Sequence, residues 1–229
     1  MSTPVRHLSI DFWSTLYRPN PTFSVNRIEQ IVAFFSPAPV DRHRLESSLG
    51  EVGRQNDLLT NTRGISATQE ELYGRVFSAM GLSVSPVMIR SLCEELDELF
   101  LQHRPILIDP EYASLLSRLS ARGLTLNISS NTAFVLGHSL ERCIHQDGLH
   151  DRFDFMLFSD QLGCAKPSPQ FFEAVLNRVS HQLGSTIAKE AILHAGDNLL
   201  ADINGASSFG FQTLHIASPT DLFKLESYG

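Results

Sequence analysis

One short apolar stretch near the N-terminus, Leu8-Ser9-Ile10, sets the first constraint on this chain. It reads as a strand over residues 6 to 11 and runs straight into a carboxylate, Asp11. A strand on its own leaves its backbone N–H and C=O groups unpaired until neighbouring strands supply partners. No strand-like segment follows until after residue 104. The intervening residues, roughly 22 to 103, carry helical periodicity instead. Phe23, Ile28, Ile31, Val32 and Phe35 are spaced for one helix between Thr22 and Phe35, and Val40 to Leu59 forms a second, more polar one. Thr68-Gln69-Glu70-Glu71 is a capping box ahead of Leu72, Val76 and Met80. Ser85-Pro86 supplies an N-cap and first helical residue ahead of Leu92, Leu96, Leu99 and Phe100. The first strand must therefore find its partners beyond this helical segment.

From Pro105 the texture changes. Asp109-Pro110 begins a helix that ends at Gly123, and Leu124 to Ile128 reads as a strand. Phe155 to Phe158 is another strand, and Ser168-Pro169 opens a helix through Phe172, Val175, Leu176 and Val179. Ile192 to Ala195 and Phe211 to Ile216 complete the strand set. Short apolar strands alternating with helices mean βαβ units and a parallel sheet. The expected class is α/β: a Rossmann-like parallel sheet flanked by helices, with an inserted all-α unit of four helices. Residues 1–20 and 105–229 form the expected core, and residues 21–104 the insertion.

Composition narrows the function. The 229 residues carry a formal charge of −7, which disfavours non-specific nucleic-acid binding and anionic membrane surfaces. No apolar run approaches the roughly 20 residues that span a bilayer, and Met1 to Arg6 lacks the apolar segment of a signal peptide. Cys93, Cys143 and Cys164 are odd in number and widely spaced, so they read as reduced thiols of a cytoplasmic protein. The apolar helices of the insertion are accounted for by its own core or by a dimer face, so monomer and homodimer both stay open.

In open α/β sheets ligands bind beyond the carboxyl ends of the strands. Asp11, Ser130-Asn131 and Gly196-Asp197 each follow a strand there, and Lys166 precedes the helix that starts near Ser168. By strand alternation Ser129 and Ser130 point opposite ways, so only one faces such a site. His194 lies in an apolar strand and reads as a core histidine, not a metal ligand.

Four segments in order, Asp11-Phe12-Trp13-Ser14-Thr15, Ser129-Ser130-Asn131-Thr132, Lys166-Pro167-Ser168-Pro169 and Gly196-Asp197 through Asp202, resemble the motifs of the haloacid dehalogenase-like (HAD) hydrolase superfamily. The resemblance covers the whole chain, and the insertion is similar to that family's C1 cap. It implies Asp11 as a covalent nucleophile. It implies Mg²⁺ held by Asp11, the Trp13 carbonyl and Asp197, with Asp202 ligating through water or orienting Lys166. Thr15 and Ser130 would donate to phosphoryl oxygens, Lys166 would offset charge, and Asn131 and Ser14 would contact substrate. The implied reaction is hydrolysis of a small phosphorylated metabolite.

Trp13 departs from the pattern, because family phosphatases place a second aspartate there as general acid and base. Indole cannot serve as either near neutral pH. One reading is a phosphatase that spares the acid or borrows one from the cap, where Glu51, Asp57 and several histidines are available. Another is a metal-independent 2-haloacid dehalogenase, whose halide leaves unprotonated and whose cap arginine would be Arg54. A third is a fold that binds a phosphorylated ligand without turnover. Gly196-Asp197 and Asp202 favour Mg²⁺ and the phosphatase.

Overall fold

The computed structural model describes residues 3–36 and 40–228, so residues 1–2 and 229 at the outer ends of the expected core lie outside it. In chain order the strands are β1 (His7–Ile10), β2 (Tyr17–Arg18), β3 (Ile106–Leu107), β4 (Thr125–Ser130), β5 (Phe155–Phe158), β6 (Ile192–Gly196) and β7 (Gln212–His215). The helices are α1 (Pro21–Phe34), α2 (Arg42–Arg63), α3 (Gln69–Ala79), α4 (Pro86–Gln102), α5 (Tyr112–Ala121), α6 (Gly137–Gln146), α7 (Ser159–Leu162), α8 (Pro169–Gln182) and α9 (Gly205–Phe209).

The N-terminal strand finds its partners where the sequence required. Five strands form a parallel sheet in the order β5-β4-β1-β6-β7, with β1 at its centre. Ile10 lies opposite Ile128 of β4 and Ala195 of β6. This register brings the carboxyl ends of β1, β4 and β6 to one edge. On one face of the sheet Leu8, Ile10, Leu126, Ile128 and Leu193 pack against Leu115, Leu116 and Leu119 of α5 and Leu140 and Ile144 of α6. Each such side chain contributes roughly 1.5–3 kcal/mol on burial.

The opposite face is unusual. His7, Ser9, Asn127, Ser129 and His194 occupy it, all buried. Burying unpaired polar groups is costly, and here they are paired with one another. His7 Nδ1 meets Thr125 Oγ1 at 2.7 Å and Nε2 meets Asn127 Oδ1 at 2.8 Å. Asn127 Nδ2 donates to Ser129 Oγ at 2.8 Å, Ser129 and Ser9 hydroxyls are bonded at 2.9 Å, and Ser9 meets His194 Nδ1 at 3.0 Å. Phe155, Phe171, Phe172, Val175 and Val179 close over this layer.

Helices α1 to α4 enclose a second apolar cluster that includes Ile31, Leu45, Leu72, Tyr73, Val76, Phe77 and Leu92. Their starts follow the capping chemistry of the sequence: Thr68 and Glu71 form the capping box, and Ser85 Oγ accepts from Met88 N at 3.3 Å. Helix α2 runs four residues beyond the expected Leu59, to Arg63, before Gly64 ends it in the left-handed region at φ 63°. Strand β4 likewise extends to Ser130, past the expected Ile128. Helix α6 and the antiparallel β2–β3 pair, which lies where the chain enters and leaves the helical segment, were not anticipated. No described helix is long and apolar enough to cross a membrane.

Candidate active site

The strand ends assemble a buried ionic centre. Asp11 follows β1, and its amide donates to Ala195 O at 2.9 Å, fixing it against β6. Lys166 Nζ lies at 2.7 Å from Asp11 Oδ1, from Asp202 Oδ1 and from the Ser129 carbonyl. Three acceptors match the three protons of an ammonium. With side-chain exposures of 1% for Lys166, 8% for Asp11 and 2% for Asp202, this is an ion triad withdrawn from solvent.

The burial sets the titration of each member. Burial raises Asp11 above the ordinary carboxylate range, opposed by Lys166 and reinforced by Asp202. Burial alone would raise Asp202 too, but Lys166 and the His194 hydrogen bond outweigh it and hold the group well below that range. Burial would lower Lys166, and the two carboxylates reverse the sign and raise it. His194 is lowered by burial, partly offset by Asp202. Its Nε2 donates to Asp202 Oδ1 at 3.1 Å, so this histidine links the polar layer of the sheet to the ionic centre. The sequence placed it in the core, correctly, without showing that link.

Asp202 sits in a turn of π-helix, Leu199–Asn204, a geometry that recurs at functional sites. Its second oxygen accepts from Asn198 N at 2.9 Å. Gly196 permits this approach, because a Cβ there would stand 2.3 Å from the Asp202 carboxyl. Asp11, Asp197 and Asp202 each offer an oxygen within 4.8 Å of the others. Asp197 is partly exposed and is raised chiefly by burial and then by Asp202. An all-oxygen, carboxylate-rich donor set is the chemistry of a hard divalent cation. Asp202 Oδ1 already accepts from Lys166 and Oδ2 from Asn198 N, so it is the most heavily hydrogen-bonded of the three carboxylates.

A cavity of about 230 Å³ opens above this centre, lined among others by Asp11, Trp13, Ser14, Asn131, Lys166 and Asp197. Ser14 holds a positive φ of 57° in the turn after β1. Asn131 lines this cavity, and its amide also donates one N–H to Lys166 O at 2.9 Å while its Oδ1 accepts from Lys166 N at 2.8 Å. It therefore pins the lysine backbone while forming part of the wall. Thr15 and Ser130 lie beneath the cavity surface, fully buried. Ser130 Oγ donates to Asn131 O at 3.2 Å, whereas Thr15 Oγ1 has no hydrogen-bond partner among the described residues. A buried hydroxyl without a partner costs about 1–3 kcal/mol. Ser129 points to the other face, as strand alternation required. Arg54 is exposed, donates to Glu51 at 2.7 Å and does not line the cavity.

A haloacid dehalogenase-like hydrolase model matches residues 5–210. The mouse (Mus musculus) haloacid dehalogenase-like hydrolase domain-containing protein 3 is 32% identical over 101 residues, which covers 44% of this chain and 36% of that protein. The ribulose-1,5-bisphosphate 5-phosphatase of Halopiger xanaduensis is 33% identical over 106 residues, covering 46% and 40%. The match thus spans well under half the length of either relative. The magnesium-bound HAD-hydrolase YfnB of Bacillus subtilis superposes with a TM-score of 0.63 over 93% of this chain and 87% of its own, at 18% identity, which establishes the shared fold. Family model, sheet order and buried centre agree, and the chain belongs to the haloacid dehalogenase-like hydrolases.

Proposed function

We propose that the protein is a Mg²⁺-dependent phosphatase that hydrolyses a small phosphorylated metabolite through an aspartyl-phosphate on Asp11. The observation that carries this reading is the Asp11–Lys166–Asp202 triad with Asp197 beside it, at the floor of a small polar cavity. Asp11 has one oxygen tied to Lys166 and the other free to attack phosphorus. Lys166 lies close enough to the nucleophile to offset part of the phosphoryl charge. Asp11 and Asp197, with the Trp13 carbonyl, would hold Mg²⁺, and Asp202 would reach it through water. Mg²⁺ when bound supplies charge neutralisation between two anions, carboxylate and phosphate. Residues 21–104 act as the C1-type cap that limits access. The phosphatase name of the Halopiger relative supports the substrate class.

The dehalogenase alternative needs a cap arginine at the substrate, and among the described residues no arginine lines the cavity. The test is release of phosphate from acetyl phosphate and p-nitrophenyl phosphate, with Mg²⁺ and with EDTA. Turnover is expected only with Mg²⁺, and none from Asp11→Asn. Persistence in EDTA would sink the metal assignment, and activity in Asp11→Asn would sink the nucleophile.

A further inference from the structure

Two cavities meet above Asp11. The first, described above, is polar. The second has a volume of about 330 Å³ and an apolar wall of Ala133, Phe134 and Val135. Trp13, Asp57, Asn61 and Asn131 line both, so they stand at the junction. Asp57 and Asn61 lie one turn apart on α2 and share a helix face. A phosphate ester bound with phosphorus over Asp11 and its organic group in the second cavity places the bridging oxygen at this junction. That oxygen leaves as an alkoxide unless it is protonated. Trp13 holds no transferable proton there, and Asn61 and Asn131 are amides.

Asp57 is the one carboxylate shared by the two cavities, and it makes no hydrogen bond or ion pair among the described residues. Glu51, by contrast, is exposed and held by Arg54 and Gln55 at 2.7 Å, away from both cavities. Among the described residues no histidine lines either one.

Building on the phosphatase reading, we propose that Asp57 is the catalytic acid and base, supplied by α2 in place of the residue that Trp13 displaces. As an Asp11 oxygen bonds to phosphorus, the bond from phosphorus to the organic oxygen breaks, and that oxygen takes the Asp57 proton and leaves as an alcohol. The Asp57 carboxylate then takes a proton from water while the water oxygen attacks phosphorus. The Asp11–phosphorus bond breaks, inorganic phosphate departs, and Asp57 is again protonated. Burial raises Asp57 from its ordinary value, in the direction an acid requires. The charged groups facing it are Asp11, Asp197, Asp202 and Lys166 across the first cavity; the second presents none.

The experiment compares wild type, Asp57→Asn and the control Glu51→Gln on aryl phosphates running from 2,4-dinitrophenyl to phenyl, with Mg²⁺. A dinitrophenolate needs no proton to leave, so in kcat/KM, which reports the steps up to its departure, Asp57→Asn should fall only a few-fold there. On phenyl phosphate it should lose about 10²–10³ in kcat/KM and lose the basic limb of the pH profile. Glu51→Gln should match wild type throughout. An equal loss in kcat/KM across the series, or none, overturns the Asp57 assignment while wild-type turnover upholds the phosphatase reading. Absence of wild-type turnover on every ester overturns both.

Discussion

Replacing Lys166 by Met tests whether the ionic centre is the interaction that holds the strand ends together. Methionine keeps much of the volume and removes the ammonium, leaving two buried carboxylates facing each other. Three partners at 2.7 Å and a side-chain exposure of 1% place this among fully desolvated ion pairs. Removing one member of such a set costs about 3–5 kcal/mol, because the remaining charge stays buried without compensation. That is a large share of the 5–15 kcal/mol typical of a folded domain. Urea unfolding in EDTA should therefore show a clear drop in midpoint with little change of slope. The double variant Lys166→Met/Asp11→Asn removes one of the stranded charges and should recover about 1–3 kcal/mol of the loss. A loss below about 1 kcal/mol for Lys166→Met, or strict additivity in the double variant, would refute the reasoning.

Mg²⁺ at a hundred times its dissociation constant should stabilise the wild type by about 2.7 kcal/mol, and Asp197→Asn should abolish most of that shift in a thermal melt. His7 is lowered by burial to about 4. Its unfolded value is about 6.5, so the unfolded chain binds more protons between those limits. Stability should be full above pH 6.5 and fall by about 3 kcal/mol towards pH 4, and His7→Gln should flatten that part of the curve. In Gly137→Ala the added methyl would stand 2.4 Å from the Phe158 ring, so overpacking should cost about 1–3 kcal/mol by chemical denaturation.

The sheet was legible because its apolar strands alternate with helical segments and because Leu8-Ser9-Ile10 had no local partner. Asp11, Lys166 and Asp202 were legible as motif residues, and the structure brings them within hydrogen-bond reach of one another. The β2–β3 pair was not, since two residues on each strand carry no periodicity and their partners lie far apart in the chain. Helix α6 begins without a side-chain cap, so its start carries no capping signature. Asn131 was legible as a cavity residue, but its bonds to the Lys166 backbone were not, because they join segments 35 residues apart. Asp57 was one of several acids in a polar helix. Its place at the junction depends on how α2 is set against the sheet edge, which no local pattern encodes.

The polar layer on one face of the sheet also acts as an alignment key. Sliding β1 by one residue against β4 would turn His7 and Ser9 into the apolar cluster and Leu8 and Ile10 onto Asn127 and Ser129. An all-apolar sheet would tolerate such a slip far better, because Leu and Ile are nearly interchangeable in volume. Here every wrong alignment strands several hydrogen-bonding groups at once. The histidines and serines under the sheet thereby fix where β1 ends relative to β4 and β6. The nucleophile, one residue beyond that end, inherits its position from them.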